Sequence, residues 1–239
     1  MKKIFFAAII AIATATVSIA QDNIQALIPY PNKIEQCSKG KAFEVNSATT
    51  IKSSLPGDAF VIKELQRITQ KRLGLTPGIS SKNSKNIISL QVDSNLAGRE
   101  HYTLEVNKNG IFIKGATEGA IFLALQTLDQ LLIGDICNTA ENRIAHVRID
   151  DSPRFGFRAI MLDPARHFIP VKDAKLFIDQ MARFKFNVLQ LHLTDDQGWR
   201  IEIKSHPELT ETGAQRKPGA SNQGPDNGYY TQEEIKDII

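Results

Sequence analysis

The hydrophobic positions change period several times along the chain. In "DAFVIKELQRITQKRLG", Val61, Leu65 and Ile68 recur at helical spacing, and Gly74 stands where a helix commonly stops. "HYTLEVNKNGIFIKGA" alternates apolar and polar residues on both sides of "NKNG", whose Asn and Gly tolerate positive φ, so a hairpin is predicted. A second helix follows in "TEGAIFLALQTLDQLL", with Ile121, Leu125, Leu128 and Leu132 as its stripe. "AFEVNSATTIKSS", "NIISLQV" and "RIAHVRID" have strand character. Residues 21–152 therefore read as one α/β unit, a sheet with helices. Pro153 marks its end, with Asp150 and Asp151 as solvated turn residues. His101 and His146 are lone histidines near strands and are assigned structural or surface roles.

From Phe155 the texture changes. "FRAIMLD" reads as a strand. "VKDAKLFIDQMARFK" reads as an amphipathic helix, with Ala174, Phe177, Ile178, Met181 and Phe184 on one side. "NVLQLHLT" reads as a second strand. Strand, helix and strand within some forty residues predict a βαβ unit with parallel strands. "QGWRIEIKSHPEL" is an excursion off the second strand, and "GAQRKPGASNQGPDNG" is a long loop. "TQEEIKDII" opens a helix, with Thr231 as N-cap and Glu234 as its capping-box partner. Two parallel strands cannot bury themselves, so residues 153–239 are expected to be the first units of a (β/α)8 barrel that continues past Ile239. On the second strand, alternation sets Leu189, Leu191 and Leu193 against Gln190, His192 and Thr194, and the polar set would face the barrel axis.

Barrel chemistry sits where strands end. Asp163 ends the first strand; Asp195 and Asp196 end the second, in "HLTDDQGWR". These acids have three chemical readings: catalytic carboxylates, metal ligands together with His192, or hydrogen-bond holders for a polyhydroxylated ligand. A plain turn is the alternative to all three. The metal reading is the weakest, because no further ligand stands at metal spacing. Trp199, the only tryptophan, can pack on the C–H face of a sugar or simply pack its own loop.

Charge and composition add little. A net charge of +3 falls to +1 without Lys2 and Lys3, and gives no basic patch of the kind nucleic acid needs. The N-terminus does change the picture. "MKK", the apolar "IFFAAIIAIATATV" and "SIA" before Gln21 match a cleaved export signal over residues 1–20, in place of a membrane anchor. The mature protein is then expected to be periplasmic or secreted, where Cys37 and Cys137 could pair or stay as separate thiols.

The segments "FRAIMLDPARHF" and "NVLQLHLTDDQGWRIEIKSHPELTETGA", with "EGAIFLALQTLDQLL" upstream, closely resemble glycoside hydrolase family 20. The resemblance covers nearly all of the chain after the signal, and its two strand-end motifs are highly specific in combination. It implies a small α/β domain ahead of a (β/α)8 catalytic barrel. It also implies an exo-acting β-N-acetylhexosaminidase that cleaves terminal β-linked N-acetylglucosamine or N-acetylgalactosamine with retention. The substrate's own 2-acetamido oxygen serves as nucleophile, an exception to the two-carboxylate pattern. The family's catalytic Asp-Glu pair lies on the fourth barrel strand. No adjacent Asp-Glu occurs in these 239 residues, so that pair is expected beyond Ile239. By resemblance, Arg158 would bind sugar hydroxyls, and Asp195, with Asp196 as second choice, would support the site. Asp163, Arg166, His167 and His192 would form a buried polar network beneath it, and Trp199 would stand beside it. Ala159 departs from the glycine common there. No cofactor and no metal are implied; the partner is a glycan or glycoconjugate ending in an N-acetylhexosamine. The alternative is a truncated, non-catalytic sugar-binding or inert remnant of the same ancestry.

Overall fold

The computed structural model describes residues 24, 26–37, 41–81, 85–133, 142–216 and 226–239. The export-signal expectation and Cys137 lie outside them. Cys37 is an exposed free thiol whose Sγ lies 3.6 Å from the Glu35 carbonyl. No described helix is long and apolar enough to cross a membrane.

In chain order the first unit comprises β1 (Lys33–Gln36), β2 (Ala42–Glu44), β3 (Thr50–Ser53), α1 (Phe60–Leu73), β4 (Gly78–Ile79), β5 (Ile87–Val92), β6 (Tyr102–Asn107), β7 (Gly110–Gly115), α2 (Glu118–Leu131), β8 (Arg143–Ala145) and β9 (Val147–Asp151). Seven of these strands make one sheet in the order β1-β9-β6-β7-β5-β3-β4, antiparallel from β1 to β7 and parallel from β7 to β4. β2 and β8 form a separate antiparallel pair. Alternation buries Tyr102, Leu104 and Val106 of β6 and Ile111 and Ile113 of β7 beneath α2. Helix α1 buries the expected Val61, Leu65 and Ile68, and also Ile62, and ends at Gly74 in left-handed conformation. Helix α2 is buried nearly all round, and its polar residues are met from α1: Gln126 donates to Glu64 at 3.0 Å, and Arg72 donates to Asp129 at 2.7 Å. The hairpin turn needs its glycine, since a Cβ on Gly110 would stand 2.1 Å from the Ile87 carbonyl oxygen.

Two strand expectations divide. "AFEVNSATTIKSS" is β2 and β3 around a turn in which Asn46 accepts the N–H of Ala48 and Thr49 accepts that of Asn46. "RIAHVRID" is broken at His146, whose N–H and carbonyl bond Lys41 and Cys37.

The second unit comprises β10 (Ala159–Leu162), α3 (Val171–Arg183), β11 (Val188–Leu191), β12 (Thr194–Asp195), β13 (Gly198–Trp199), α4 (Glu208–Gly213) and α5 (Gln232–Ile238). β10 and β11 pair in parallel, Ala159 opposite Val188 through Leu162 opposite Leu191. The expected βαβ unit is therefore present: the fold is a small α/β domain followed by the first strands and helices of a (β/α)8 barrel. α5 carries the expected capping box, Thr231 with Glu234.

The junction between the units corrects one expectation. Asp151 is not a solvated turn residue. It is buried at the end of β9, where Lys185 donates to it at 2.9 Å and Tyr102 at 2.7 Å. Lys185 also donates to the Tyr102 hydroxyl, which bonds Thr127 at 2.7 Å. Burial pulls the Lys185 ammonium below its ordinary range, against the attraction of Asp151. Burial works to raise Asp151, and the Lys185 pair and hydrogen bonds outweigh it, so the carboxyl ends below its ordinary range.

Candidate functional site

The parallel pairing fixes which ends of β10 and β11 lie together. The residues following Leu162 and Leu191 therefore share one end of the sheet, and they hydrogen-bond across it. Ala165 N–H donates to the His192 carbonyl at 3.1 Å, and His192 N–H to the Leu162 carbonyl at 2.9 Å. This places Asp163 and Arg166 beside His192 and Asp195.

Their side chains form one chain of contacts. Arg166 Nη1 donates to Asp163 Oδ2 and Nη2 to Asp195 Oδ2, the latter at 3.0 Å. His192 Nε2 lies 2.8 Å from the same Asp195 oxygen. Asp195 Oδ1 accepts the N–H of Asp196 at 2.8 Å, and Asp163 accepts that of Arg166 at 3.1 Å. The Asp196 N–H first, then His192 and Arg166, hold the Asp195 carboxyl below its ordinary range. Slight burial works to raise Asp163, but Arg166 outweighs it and lowers that carboxyl too. Both acids are ionised near neutral pH, so neither can deliver a proton; they are acceptors and counter-charges. The Arg166 guanidinium faces outward from between them, its side chain 52% exposed.

This geometry sorts the expected residues. Asp195, not Asp196, joins the cluster: β11 ends at Leu191, and β12 restarts as a hairpin with β13, so simple alternation no longer applies. Asp196 is exposed and contributes its N–H. The network is not buried; Asp163, His192 and Asp195 side chains are each about a quarter exposed. His167 turns away, its Nδ1 3.8 Å from Asp226. Trp199 packs its loop: its indole N–H donates to the Ile201 carbonyl at 2.8 Å, and Gly213 of α4 leaves room for its Cβ.

Arg158 is corrected outright. It precedes β10, at the end opposite Asp163 and Asp195. Glu100 of the first unit takes its guanidinium in a fork at 2.6 and 2.9 Å, and the Lys185 and Phe155 carbonyls take more of its donors. It is a clamp between the units with no donors turned to the strand-end site. The cation at that site is Arg166. The signal was legible: Arg158 starts the strand and Arg166 follows its end.

Sequence reasoning also missed Arg200. It is fully buried and donates to the carbonyls of Ala165, Ala214, Asp226 and Gly228 and to the Asp226 carboxylate. Asp226 in turn accepts the Phe168 N–H at 3.0 Å, and Arg216 donates to the Arg166 carbonyl at 2.7 Å. The loop carrying Arg166 is thus fastened from the segments around residues 214–216 and 226–228. For the metal reading, Arg166 already occupies Asp163 and Asp195, the acids that would hold a cation. Among the described residues no group of three His, Cys, Asp or Glu is placed to hold a metal.

Comparison with known proteins accords with this architecture. Residues 25–152 match glycosyl hydrolase family 20, domain 2, and residues 155–239 match glycosyl hydrolase family 20, catalytic domain. The chain belongs to glycosyl hydrolase family 20. It is 35% identical to a beta-hexosaminidase of Porphyromonas gingivalis, over 100% of this chain and 32% of that protein. It is 36% identical to an N,N'-diacetylchitobiase of Vibrio harveyi, over 82% of this chain and 21% of that protein. The structure of a GH20 exo beta-N-acetylglucosaminidase from Vibrio harveyi, in complex with N-acetylglucosamine, superposes with a TM-score of 0.79 at 34% identity, covering 90% of this chain and 34% of that one. A beta-N-acetylhexosaminidase from Bacteroides fragilis superposes at 0.72 with 30% identity, covering 89% and 41%. The chain spans about a third of the length of the first of these relatives.

Proposed function

We propose that the whole protein is an exo-acting β-N-acetylhexosaminidase. It would hydrolyse terminal β-linked N-acetylglucosamine or N-acetylgalactosamine with retention, assisted by the substrate's acetamido group. The carrying observation is the cluster of Arg166 between Asp163 and Asp195 at the C-terminal strand ends of a family 20 barrel. A guanidinium held this way offers fixed donors to adjacent sugar hydroxyls, and its two carboxylates keep it aimed. The general acid must come from elsewhere, since both acids here are ionised; the Asp-Glu pair is assigned to the chain beyond Ile239.

The large apolar side chains left exposed in the second unit, Phe157 at 74%, Leu176 at 59% and Met161 at 50%, support a barrel that continues. Export to the periplasm or medium rests on the pattern of residues 1–20 alone.

The test is to read the coding sequence past codon 239 and assay the full product on an aryl N-acetylglucosaminide. Further strand–helix units with an Asp-Glu pair, and turnover that releases the β-anomer first, support the reading. A stop codon after Ile239 together with no turnover would leave the non-catalytic remnant in its place.

A further inference from the structure

A cavity of about 500 Å³ opens on the first unit, away from the barrel strands. Four chain segments converge on it. Lys41 and Glu44 come from either end of β2, Arg143 and His146 from β8 and the residue after it, Lys85 from the approach to β5, and Lys108 from the β6–β7 turn. Tyr102, at the junction with the barrel unit, starts β6, and Lys108 follows its other end. At about 3.4 Å per residue the cavity lies on the order of 20 Å from that junction.

The charge arrangement is one-sided. Lys41, Lys85, Lys108 and Arg143 line one cavity, and none of them makes an ion pair with a described residue. Several other cations of this unit do meet acids: Arg72 with Asp129, Arg67 with Glu64, Arg148 with Glu105. The single acid on the wall, Glu44, accepts Asn142 at 3.3 Å. Four like charges around one cavity repel each other, a cost that a bound counter-charge would remove. His146 is more than nine-tenths buried on the cavity wall, its backbone is fixed by Lys41 and Cys37, and its Nε2 has no hydrogen-bond partner. That nitrogen is closed to solvent, so His146 braces the wall and the exposed cations do the facing.

We propose that this cavity binds an oxyanion, a carboxylate or a sulfate or phosphate ester, held by Lys41, Lys85, Lys108 and Arg143. The four cations supply the attraction, and the Arg143 guanidinium adds several fixed donors. The site does not depend on the hydrolase reading, because none of its residues belongs to the strand-end cluster. The anion could arrive free or borne on an acidic sugar chain.

The test uses the full-length protein at constant ionic strength, with chloride exchanged for the probe. Inorganic sulfate is one arm and a sulfated, uronic-acid-containing oligosaccharide the other; binding is followed by calorimetry and by the His146 ring signals in NMR. Saturable binding is expected, weakened at least about tenfold in Lys41→Glu/Lys108→Glu and unchanged in Lys63→Glu, a charge reversal on α1. Both lysines are exposed, so the double variant should fold, and an unchanged melting temperature verifies this. Equal affinity for the two probes identifies a site for the free anion; tighter oligosaccharide binding identifies a site for acidic glycan. Absence of saturable binding of either probe, or equal weakening by Lys63→Glu, overturns the proposal.

Discussion

Lys185 and Asp151 meet across the junction of the two units, Nζ to Oδ2 at 2.9 Å, with under a tenth of either side chain in contact with solvent. Lys185 holds this position at φ 62°, a left-handed conformation that costs a lysine energy and that a glycine would adopt freely. Removing either partner strands a buried charge. Lys185→Met or Asp151→Asn is expected to destabilise the protein by about 3–5 kcal/mol, and the double variant by less than the sum of the two. Urea unfolding of the three variants checks this. Additive losses would show that the pair is not coupled.

The same carboxyl sets an acid limit. Asp151 titrates below its ordinary value of 3.8 in the folded protein. Its stabilisation is therefore complete above the unfolded value and is lost as pH falls through the folded one. Below that range a protonated Asp151 resembles asparagine. The stability difference between wild type and Asp151→Asn should therefore shrink steadily from pH 5 down to about pH 2. Asp163 and Asp195 are shifted in the same sense but are more exposed, so they should contribute little to the slope. A difference independent of pH would sink the linkage.

Arg200 is expected to tolerate no replacement. Burial pulls its guanidinium below the ordinary arginine range, while Asp226 works against that shift. Lysine can keep the charge but cannot reach four carbonyls and a carboxylate from one rigid fork. Arg200→Lys should cost about 3 kcal/mol or more, because several buried carbonyls lose their donor. Hydrogen exchange should quicken first at Phe168, Gly228 and Tyr230, whose N–H bonds to Asp226, Ala214 and Arg200 close this region. Unchanged protection there would mean that Arg200 does not fasten the Arg166 loop.

What the sequence made legible was periodic or local. The α1 stripe, the "NKNG" hairpin, the βαβ unit and the Thr231–Glu234 cap are each written within a few residues of where they act. Asp195 was legible only through the strand-end motif, because alternation breaks where β11 gives way to the β12–β13 hairpin. Long-range pairings were not legible. Asp151 meets Lys185 across 34 residues, and Arg158 meets Glu100 across 58, and no local pattern encodes either. Alternation reports the face of a strand and is silent about its end, which is how Arg158 and Arg166 could change places.

That exchange gives the most direct test of the site. Arg158 and Arg166 are eight residues apart and belong to opposite ends of β10. In the full-length protein, Arg166→Ala removes the cation between Asp163 and Asp195. It should lower kcat/KM on an aryl N-acetylglucosaminide by about a hundredfold, with little change in melting temperature, since its side chain is half exposed. Arg158→Ala should do the reverse. Losing a forked pair with Glu100 and two carbonyl contacts should cost about 1–3 kcal/mol of stability and leave kcat/KM within about threefold. Glu100→Gln should reproduce the Arg158 result, because the two residues act as one clamp. If Arg158→Ala abolished turnover while Arg166→Ala left it intact, the sugar would have to sit at the N-terminal end of the strands. The Asp163–Arg166–Asp195 cluster would then be no more than a surface salt bridge.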